Sequence, residues 1–401
     1  MRRLLFTEFT TQSNVPLSLE ERDAVRRLHP GMRMEPTLGL VDRYNLTPDQ
    51  HIGIVCHRDL VLEIQPKIPI SSVLFLLSYA CSGIKWATHL PTFAPSLTLT
   101  DVLAILLAKE VQRATRRGLL HGYWCQDETL QSPRGRIRFE DQLRRHYGIV
   151  PPVEVRHDLF TTDIIENRVL LGALTLLSRL PLQSGDAKRE LSRAQQVFGE
   201  VNPEYCRSRA VPTVAITPLN KHYETALALA TIVLRSRALD VGTGAARASS
   251  FLVDMNKAFE AFLRRALRDE LAGTGKRLPE RYQPLYLDEK GRIPLRPDLC
   301  IIHGQHVVWV GDAKYKRLQA DGYSNADLYQ LLAYTIALKL QTGTLIYAAG
   351  DGMKTVEHTV AHGGKQLRIM VLDLTAAPAK ILAQIRALAQ TIPNATEPIA
   401  A

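Results

Sequence analysis

The chain has 401 residues, so its length predicts two or three domains rather than one small domain. Hydrophobic residues make up 46% and charged residues 22%, proportions that argue against a mainly disordered protein. Its 50 Lys and Arg against 40 Asp and Glu give a net charge of +10, which suits a polyanionic partner such as nucleic acid or an acidic protein face.

The cysteines and the apolar segments indicate the compartment. The five cysteines are odd in number and none has CxxC spacing, so neither a disulfide framework nor a cysteine-based zinc site is expected. The N-terminus lacks the long apolar segment of a signal peptide, and no stretch approaches the roughly 18 apolar residues of a membrane span. We therefore expect a soluble, cytoplasmic protein without membrane contact.

Residues 1–100 form a first region that is predicted to be rich in strands. Residues 51–70 contain β-branched runs on either side of a turn at Arg58-Asp59, and Pro66 ends the pattern. Residues 71–82 are apolar enough to predict a buried helix.

From Thr100 the apolar residues take a helical period, with Thr100 or Asp101 as the predicted cap. Small, flexible residues over 241–250 predict the next boundary, so residues 101–245 form a mainly helical middle region. The predicted helices of this region cover 102–114, 164–180 and 222–238.

Two carboxylates precede the second of these helices. Asp163 and Glu166 stand at capping-box spacing and are followed by Asn167. A second acidic site is one interpretation of these residues, but a helix cap explains the two carboxylates without any ligand, and we prefer the cap.

The last third of the chain, residues 246–401, has an α/β pattern. Apolar residues on one face predict a helix over 255–271, and two β-branched runs around His303–His306 predict a hairpin. The two histidines of that turn have no further ligand nearby in sequence, so a zinc site is not expected. The remaining predicted elements are a helix over 326–340, strands over 345–349 and 367–374, and a helix over 379–389.

The candidate catalytic residues lie in two motifs. One is a proline–aspartate pair that ends at Asp298, and the other is the aspartate–x–lysine motif Asp312–Lys314. Alternate side chains of a strand share a face, so Asp312 and Lys314 should project together while Ala313 points into the core, with Asp298 on the neighbouring strand. Two carboxylates repel each other unless a divalent cation bridges them, and Mg²⁺ prefers oxygen ligands. The metal would lower the pKa of a bound water, and the lysine would orient that water or stabilise the charge that develops in phosphodiester cleavage.

Four further residues fall where such a site could use them. Gln330 and Tyr334 are four apart on the helix after the hairpin, so they share a face and either support the site or only pack. Glu260 lies on the helix before the hairpin and is either a further metal ligand or a solvent-facing residue. Lys316 shares the face of Lys314 and either contacts DNA phosphate or is a plain surface lysine.

An arginine cluster forms a second candidate contact. Arg134, Arg136 and Arg138 lie on one face if the segment is extended. They either contact phosphate or an acidic partner, or they line a solvated edge strand whose positive charge prevents aggregation. No catalytic arginine finger is assigned.

No nucleotide-binding loop is expected. Residues 273–276 resemble a phosphate loop, but they lack the earlier glycine of GxxxxGK[ST], and Arg277 stands where Ser or Thr should coordinate Mg²⁺. The chain itself is therefore not expected to hydrolyse GTP.

These motifs together carry a family resemblance. The PD…DxK pattern resembles the PD-(D/E)xK nuclease superfamily, and the QxxxY spacing resembles its RecB-like branch. More closely, the chain is similar to the McrC family, the nuclease subunits of McrBC-type modification-dependent restriction systems. The segments that carry this resemblance lie in family order at Leu62–Ile68, Phe160–Asp163, Glu166–Arg168, Asn256–Glu260, Arg296–Asp298 and Asp312–Lys316.

The resemblance implies a multidomain α+β and α/β chain whose residues 246–401 form a restriction-endonuclease-like PD-(D/E)xK domain. It implies cleavage of double-stranded, base-modified DNA with Mg²⁺, for which Mn²⁺ would substitute. Residues 1–100 would dock on an McrB-like AAA+ GTPase and stimulate it. Two alternatives stay open, a non-cleaving assembly factor that activates the GTPase and a free-standing RecB-like nuclease.

Overall fold

The computed structural model describes residues 2–82, 94, 96–148, 151–202, 211–236, 249–280, 282–316, 323–349 and 355–394. The chain is a multidomain mixed α/β protein that divides into two compact units, residues 1–99 with 236–401 and residues 100–235. This division differs from the three predicted regions, because the first and last regions belong to one unit. The predicted boundary residues 241–248 lie outside the described residues.

The first unit begins with strands and two helices. These elements are β1 (Arg2–Thr7), β2 (Gln12–Pro16), α1 (Leu19–Leu28), β3 (Arg33–Pro36), β4 (Arg43–Thr47), β5 (His51–His57), β6 (Leu60–Gln65) and α2 (Ile70–Ser82). The predicted turn is confirmed, because Arg58 has φ 50° between the antiparallel strands β5 and β6. The predicted helix over 71–82 is confirmed as α2.

The second unit combines helices with a small sheet. Its elements are α3 (Leu99–Ala114), β7 (Gly122–Leu130), β8 (Arg136–Ile137), α4 (Phe139–His146), β9 (Val153–Thr161), α5 (Ile165–Ser178), α6 (Gly185–Gln196) and α7 (Glu224–Arg235). The predicted helices are confirmed as α3, α5 and α7, but the antiparallel sheet β7-β9-β8 was not predicted. Strand β7 is exposed along most of its length, so its sequence shows no alternation of buried apolar residues.

Neither predicted cap of the first middle helix is correct. Helix α3 already begins at Leu99, so Thr100 and Asp101 lie inside it. The buried Asp101 carboxylate instead accepts hydrogen bonds from the backbone N–H groups of Gln183 at 3.0 Å and Ser184 at 3.1 Å. The carboxylate therefore ties α3 to the start of α6.

The predicted capping box at Asp163 is also wrong. Helix α5 has Ile164 as its N-cap, without a side-chain cap. Asp163 instead accepts two hydrogen bonds of 2.8 Å from the Arg168 guanidinium and two of 3.0 Å from Asn202. A bidentate, charge-assisted pair of this kind is stronger than a neutral cap, and it holds the pKa of Asp163 well below its usual range.

The last part of the chain completes the first unit. Its elements are β10 (Ser249–Asp254), α8 (Met255–Glu270), β11 (Lys276–Arg277), β12 (Leu285–Tyr286), β13 (Pro294–Leu295), β14 (Leu299–His303), β15 (His306–Lys314), α9 (Asn325–Ala337), β16 (Thr342–Ala349), β17 (Val356–Thr359), β18 (Gln366–Asp373) and α10 (Pro378–Thr391). The predicted helices and the two single strands are confirmed. The predicted hairpin is confirmed as β14-β15, with Gly304 at φ 62° in its turn.

A six-stranded sheet organises this part of the unit, in the order β11-β14-β15-β16-β18-β17. Strands β15, β16 and β18 are parallel, and α9 makes the crossover between β15 and β16. Side chains of Val310, Leu345 and Tyr347 pack with α9, whereas Tyr315 on the other face contacts Phe259 of α8. Asp312 and Lys314 follow Val310 at period two and therefore belong to the α9 face.

A buried carboxylate links the N-terminal strands to this sheet. Glu8 follows β1 and accepts hydrogen bonds of 2.7 Å from the Tyr315 hydroxyl and from the Lys67 backbone N–H. The Lys67 ammonium lies 4.2 Å from the centre of the Tyr315 ring. Burial raises the pKa of Glu8 to about 7. Residues that follow β1, β6 and β15 thus meet around one carboxyl group.

The described helices include none that is long and apolar enough to cross a membrane. Among the described cysteines, Cys56, Cys125 and Cys300 are free thiols.

Replacing Gly53 with alanine should destabilise the first unit strongly. Gly53 has φ 131°, and an added Cβ would lie 2.1 Å from the backbone oxygen of Phe251 on the paired strand β10. The backbone has no room to yield, so Gly53→Ala should reduce the free energy of unfolding by about 3 kcal/mol or more. Gly39→Ala is the matched control, since Gly39 has φ 77° with no atom within 4 Å of the added Cβ, and it should cost about 1 kcal/mol. Equal losses in urea unfolding would contradict the β5-β10 pairing.

Candidate functional site

The β14-β15 hairpin sets the two aspartates opposite each other. Its register pairs Leu299 with Gly311, so the next residues outward are Asp298 and Asp312. Asp298 lies just before β14, and its Oδ2 accepts a hydrogen bond of 2.9 Å from the backbone N–H of Ala313. Ala313, which was predicted to point into the core, is half-buried.

The ammonium of Lys314 lies among three acceptors. Its Nζ is 2.5 Å from Oδ2 of Asp312 and donates a hydrogen bond of 2.9 Å to Oε1 of Gln330 on α9. A second carboxylate, Asp327 at the start of α9, lies 3.9 Å away. The lysine therefore points along the α9 face of the sheet and not into the core.

The two carboxyl groups are in an electrostatically unfavourable environment. Asp312 is 2% exposed, and burial together with the neighbouring Asp298 raises its pKa to about 7 against the opposing effect of Lys314. Burial also raises the pKa of Asp298. Burial lowers the pKa of Lys314, but the carboxylates around it outweigh burial and the net pKa is raised. The site thus concentrates more negative than positive charge in a water-poor place.

Helix α9 brings both of its predicted residues to the hairpin. Gln330 accepts a hydrogen bond from Lys314, as described. The buried Tyr334 hydroxyl donates a hydrogen bond of 3.1 Å to the backbone oxygen of Arg296, two residues before Asp298. Tyr334 therefore holds the segment that leads into the first aspartate.

Glu260 lies near the aspartates without completing a three-ligand site. It is half-buried on α8, burial raises its pKa, and the charge of Asp312 raises it further, whereas Arg264 lowers it. Within the part of the chain that the structure describes, no three His, Cys, Asp or Glu side chains are grouped so that they could hold a metal ion. The predicted set of three carboxylates is therefore close in space but not assembled in this conformation.

Asp327 is a site residue that the sequence analysis missed. It is buried and accepts hydrogen bonds from Lys316 at 2.8 and 2.9 Å and from the Tyr347 hydroxyl at 2.7 Å. Lys316 is thereby paired within the protein, although nearly half of its side chain stays exposed. Asp327 stands three residues before Gln330, so the two side chains share one face of the helix. This spacing in the sequence could have predicted Asp327.

The arginine cluster does not form the predicted face. Strand β8 contains only Arg136 and Ile137, and Gly135 has φ 77°, so the extended arrangement is interrupted. Arg138 is the N-cap residue of α4 and pairs with Asp127 at 3.3 Å and with Asp141. Arg134 and Arg136 are exposed. All three belong to the second unit, not to the unit that holds the aspartate pair.

Comparisons with known proteins identify the family. The family model described as McrBC 5-methylcytosine restriction system component matches residues 46–348, more than half of the chain. The chain therefore belongs to the McrBC family of restriction system components.

The chain is also similar to a curated protein in sequence and to a solved structure in fold. The Type IV methyl-directed restriction enzyme EcoKMcrBC of Escherichia coli strain K12 is 23% identical over 338 residues, which cover 77% of this chain and 94% of the relative. A chain from an assembly of Thermococcus gammatolerans McrB AAA+ hexamers with bound McrC has the same fold, with a TM-score of 0.63 at 19% identity. That alignment covers 96% of this chain and 99% of the other.

Asp312→Asn should stabilise the metal-free protein at alkaline pH. The folded-state pKa of about 7 lies above the ordinary value of 3.8, so the native state loses stability as the pH rises from about 4 to 7 and the loss is complete above 7. The amide that Asp312→Asn introduces carries no charge. The free energy of unfolding of the variant should therefore exceed that of the parent by on the order of 2 kcal/mol at pH 8.5, and by clearly less at pH 5.5. Urea unfolding in EDTA measures both values. The exposed Asp59→Asn is the control, and the same gain at both pH values would contradict the burial argument.

Proposed function

We propose that this chain is the McrC-type nuclease subunit of an McrBC restriction complex and that its last 150 or so residues are a PD-(D/E)xK nuclease domain. The observation that carries the proposal is the arrangement of Asp298, Asp312 and Lys314 at the carboxyl end of β15. A structural hairpin has no need for a buried and a half-buried carboxyl group opposite each other beside a lysine.

The donor set fits a hard divalent cation. Asp298 and Asp312 would hold Mg²⁺, or Mn²⁺ in its place, because they offer closely spaced oxygens whose mutual repulsion such an ion relieves. Glu260 is near enough to influence their charge and would assist. When bound, the metal lowers the pKa of a water and shields the phosphate oxygens.

The protein groups supply position and positive charge. Lys314 would stabilise the negative charge that develops on the phosphate, and Gln330 fixes the direction of its ammonium. Tyr334 holds the backbone before Asp298. Lys316 would contribute to the potential that attracts DNA, since nearly half of its side chain is exposed.

The partner assignment rests on the family and on the absence of a motif. The full sequence has no GxxxxGK[ST] loop, which favours the McrC-type over the McrB-type component. The similar solved assembly is described as McrB AAA+ hexamers with bound McrC. We infer that this chain docks on an McrB-like AAA+ GTPase through its N-terminal residues, stimulates it, and cuts double-stranded, base-modified DNA that the complex selects.

A second candidate is a non-cleaving activator of the same GTPase. One observation favours it, namely that the described residues contain no ready-made group of three metal-binding side chains. A bound cation would have to draw Glu260 or water oxygens into the site for cutting.

Asp312→Ala and Lys314→Ala should each reduce DNA cutting by about 100-fold or more, because each removes a charge that the reaction requires. The assay reconstitutes each variant with the GTPase partner and measures both Mg²⁺-dependent cleavage of methylated plasmid and GTP hydrolysis. GTPase stimulation should be unchanged, and Lys290→Ala, which removes an exposed lysine between β12 and β13, should cut normally. If both variants cut like the parent, the site assignment is wrong. If the parent stimulates GTP hydrolysis but never cuts, the activator is the correct function.

A further inference from the structure

Arg264 lies one turn after Glu260 on α8, with its side chain mostly buried. Its guanidinium donates hydrogen bonds to three backbone oxygens, those of Asp298, Pro279 and Glu280, the last two at 2.6 and 2.5 Å. These oxygens come from two separate segments. A guanidinium has five N–H donors in a rigid plane and suits such a task, whereas an ammonium would not span the same acceptors.

The contact fixes Asp298 from a second direction. The side chain of Asp298 is already held by the backbone N–H of Ala313 on β15. Arg264 holds the backbone oxygen of Asp298 from α8, which packs on the face of the sheet opposite α9. Because Asp298 precedes β14, no ladder hydrogen bond would otherwise fix its backbone.

Arg264 also acts on the third carboxylate. Its Nη1 lies 4.0 Å from Oε1 of Glu260, and its charge lowers the pKa of Glu260 against the effect of burial. One side chain thus contacts the backbone of Asp298 and offsets the charge of Glu260, two of the residues near the cation site.

We propose that Arg264 is a positioning residue of the cation site: it holds the backbone of Asp298 so that the carboxylate is in place for metal binding, and it keeps the Glu260 side chain close. This inference rests on the proposed function, because it assigns Arg264 a role toward the metal of that site. Arg264 does not touch the reacting phosphate.

The chain offers a matched control on the same helix. Arg268 lies one turn further along α8 and donates a hydrogen bond of 3.4 Å to the backbone oxygen of Leu278, in the same segment that Arg264 holds. The contacts of Arg268 with the backbone therefore stabilise the loop but do not reach Asp298. If variants of Arg264 and of Arg268 both lose metal affinity, the cause is loop stability. If only the Arg264 variants lose metal affinity, the cause is the position of Asp298.

The test compares Arg264→Met, Arg264→Lys and Arg268→Met in the full-length chain. Isothermal titration with Mn²⁺ and no DNA measures metal affinity directly, and the Mg²⁺ concentration for half-maximal cutting is measured in the reconstituted complex. Supporting partners of metal ligands typically contribute 10- to 100-fold in affinity. We expect Arg264→Met to weaken Mn²⁺ binding about tenfold or more and to regain most of its maximal rate at high Mg²⁺. The Mn²⁺ affinity of Arg264→Lys should lie between those of Arg264→Met and the parent, and the affinity of Arg268→Met should equal that of the parent.

Each outcome is decisive. Parent-like metal affinity in both Arg264 variants would overturn the inference while leaving the nuclease assignment standing. A lowered maximal rate that high Mg²⁺ does not restore, with unchanged Mn²⁺ affinity, would also overturn it, because a purely structural role predicts that result. If Arg264→Met does not fold, Arg264→Lys decides by the same two measurements. Failure of the parent to bind Mn²⁺ and to cut would instead refute the proposed function.

Discussion

Two carboxyl groups set opposite each other, one buried and one half-buried, are the constraint around which the first unit is built. Burial raises the pKa of both Asp298 and Asp312, so the folded chain holds them at an energetic disadvantage at neutral pH. Lys314 offsets only part of this charge. Proteins retain such strain where it serves binding or chemistry, and the deficit of positive charge is what a divalent cation would supply.

The surrounding elements each fix one part of the site. The hairpin register sets the aspartates opposite each other, and α9 supplies Gln330 to the lysine and Tyr334 to the preceding backbone. The N-terminal strands contribute as well, because Glu8 hydrogen-bonds the Tyr315 hydroxyl, one residue after Lys314. The part of the chain that we expect to dock on a GTPase is thus in direct contact with the strand that carries the proposed catalytic lysine.

Local patterns predicted much of this fold and the centre of the site. The β-branched runs around 303–306 and the helical spacing over 255–271 have local causes, so they could be predicted, and with them the pairing of Asp312 with Lys314. The helix caps failed because residues distant in the sequence bind the same carboxylates, as Asn202 binds Asp163 and Gln183 binds Asp101. Arg264 and Asp327 were missed for a related reason, since their roles depend on contacts across the tertiary structure. The arginine face failed because one left-handed glycine, Gly135, breaks the strand.

The central claim is that Asp298 and Asp312 form a cation site, and anomalous diffraction from crystals soaked in Mn²⁺ tests it most directly. The expected result is one strong peak with oxygens of both carboxylates at about 2.2 Å, which disappears in Asp312→Ala crystals. A peak elsewhere, or an ordered Asp298–Asp312 pair without any peak at saturating Mn²⁺, would contradict the claim.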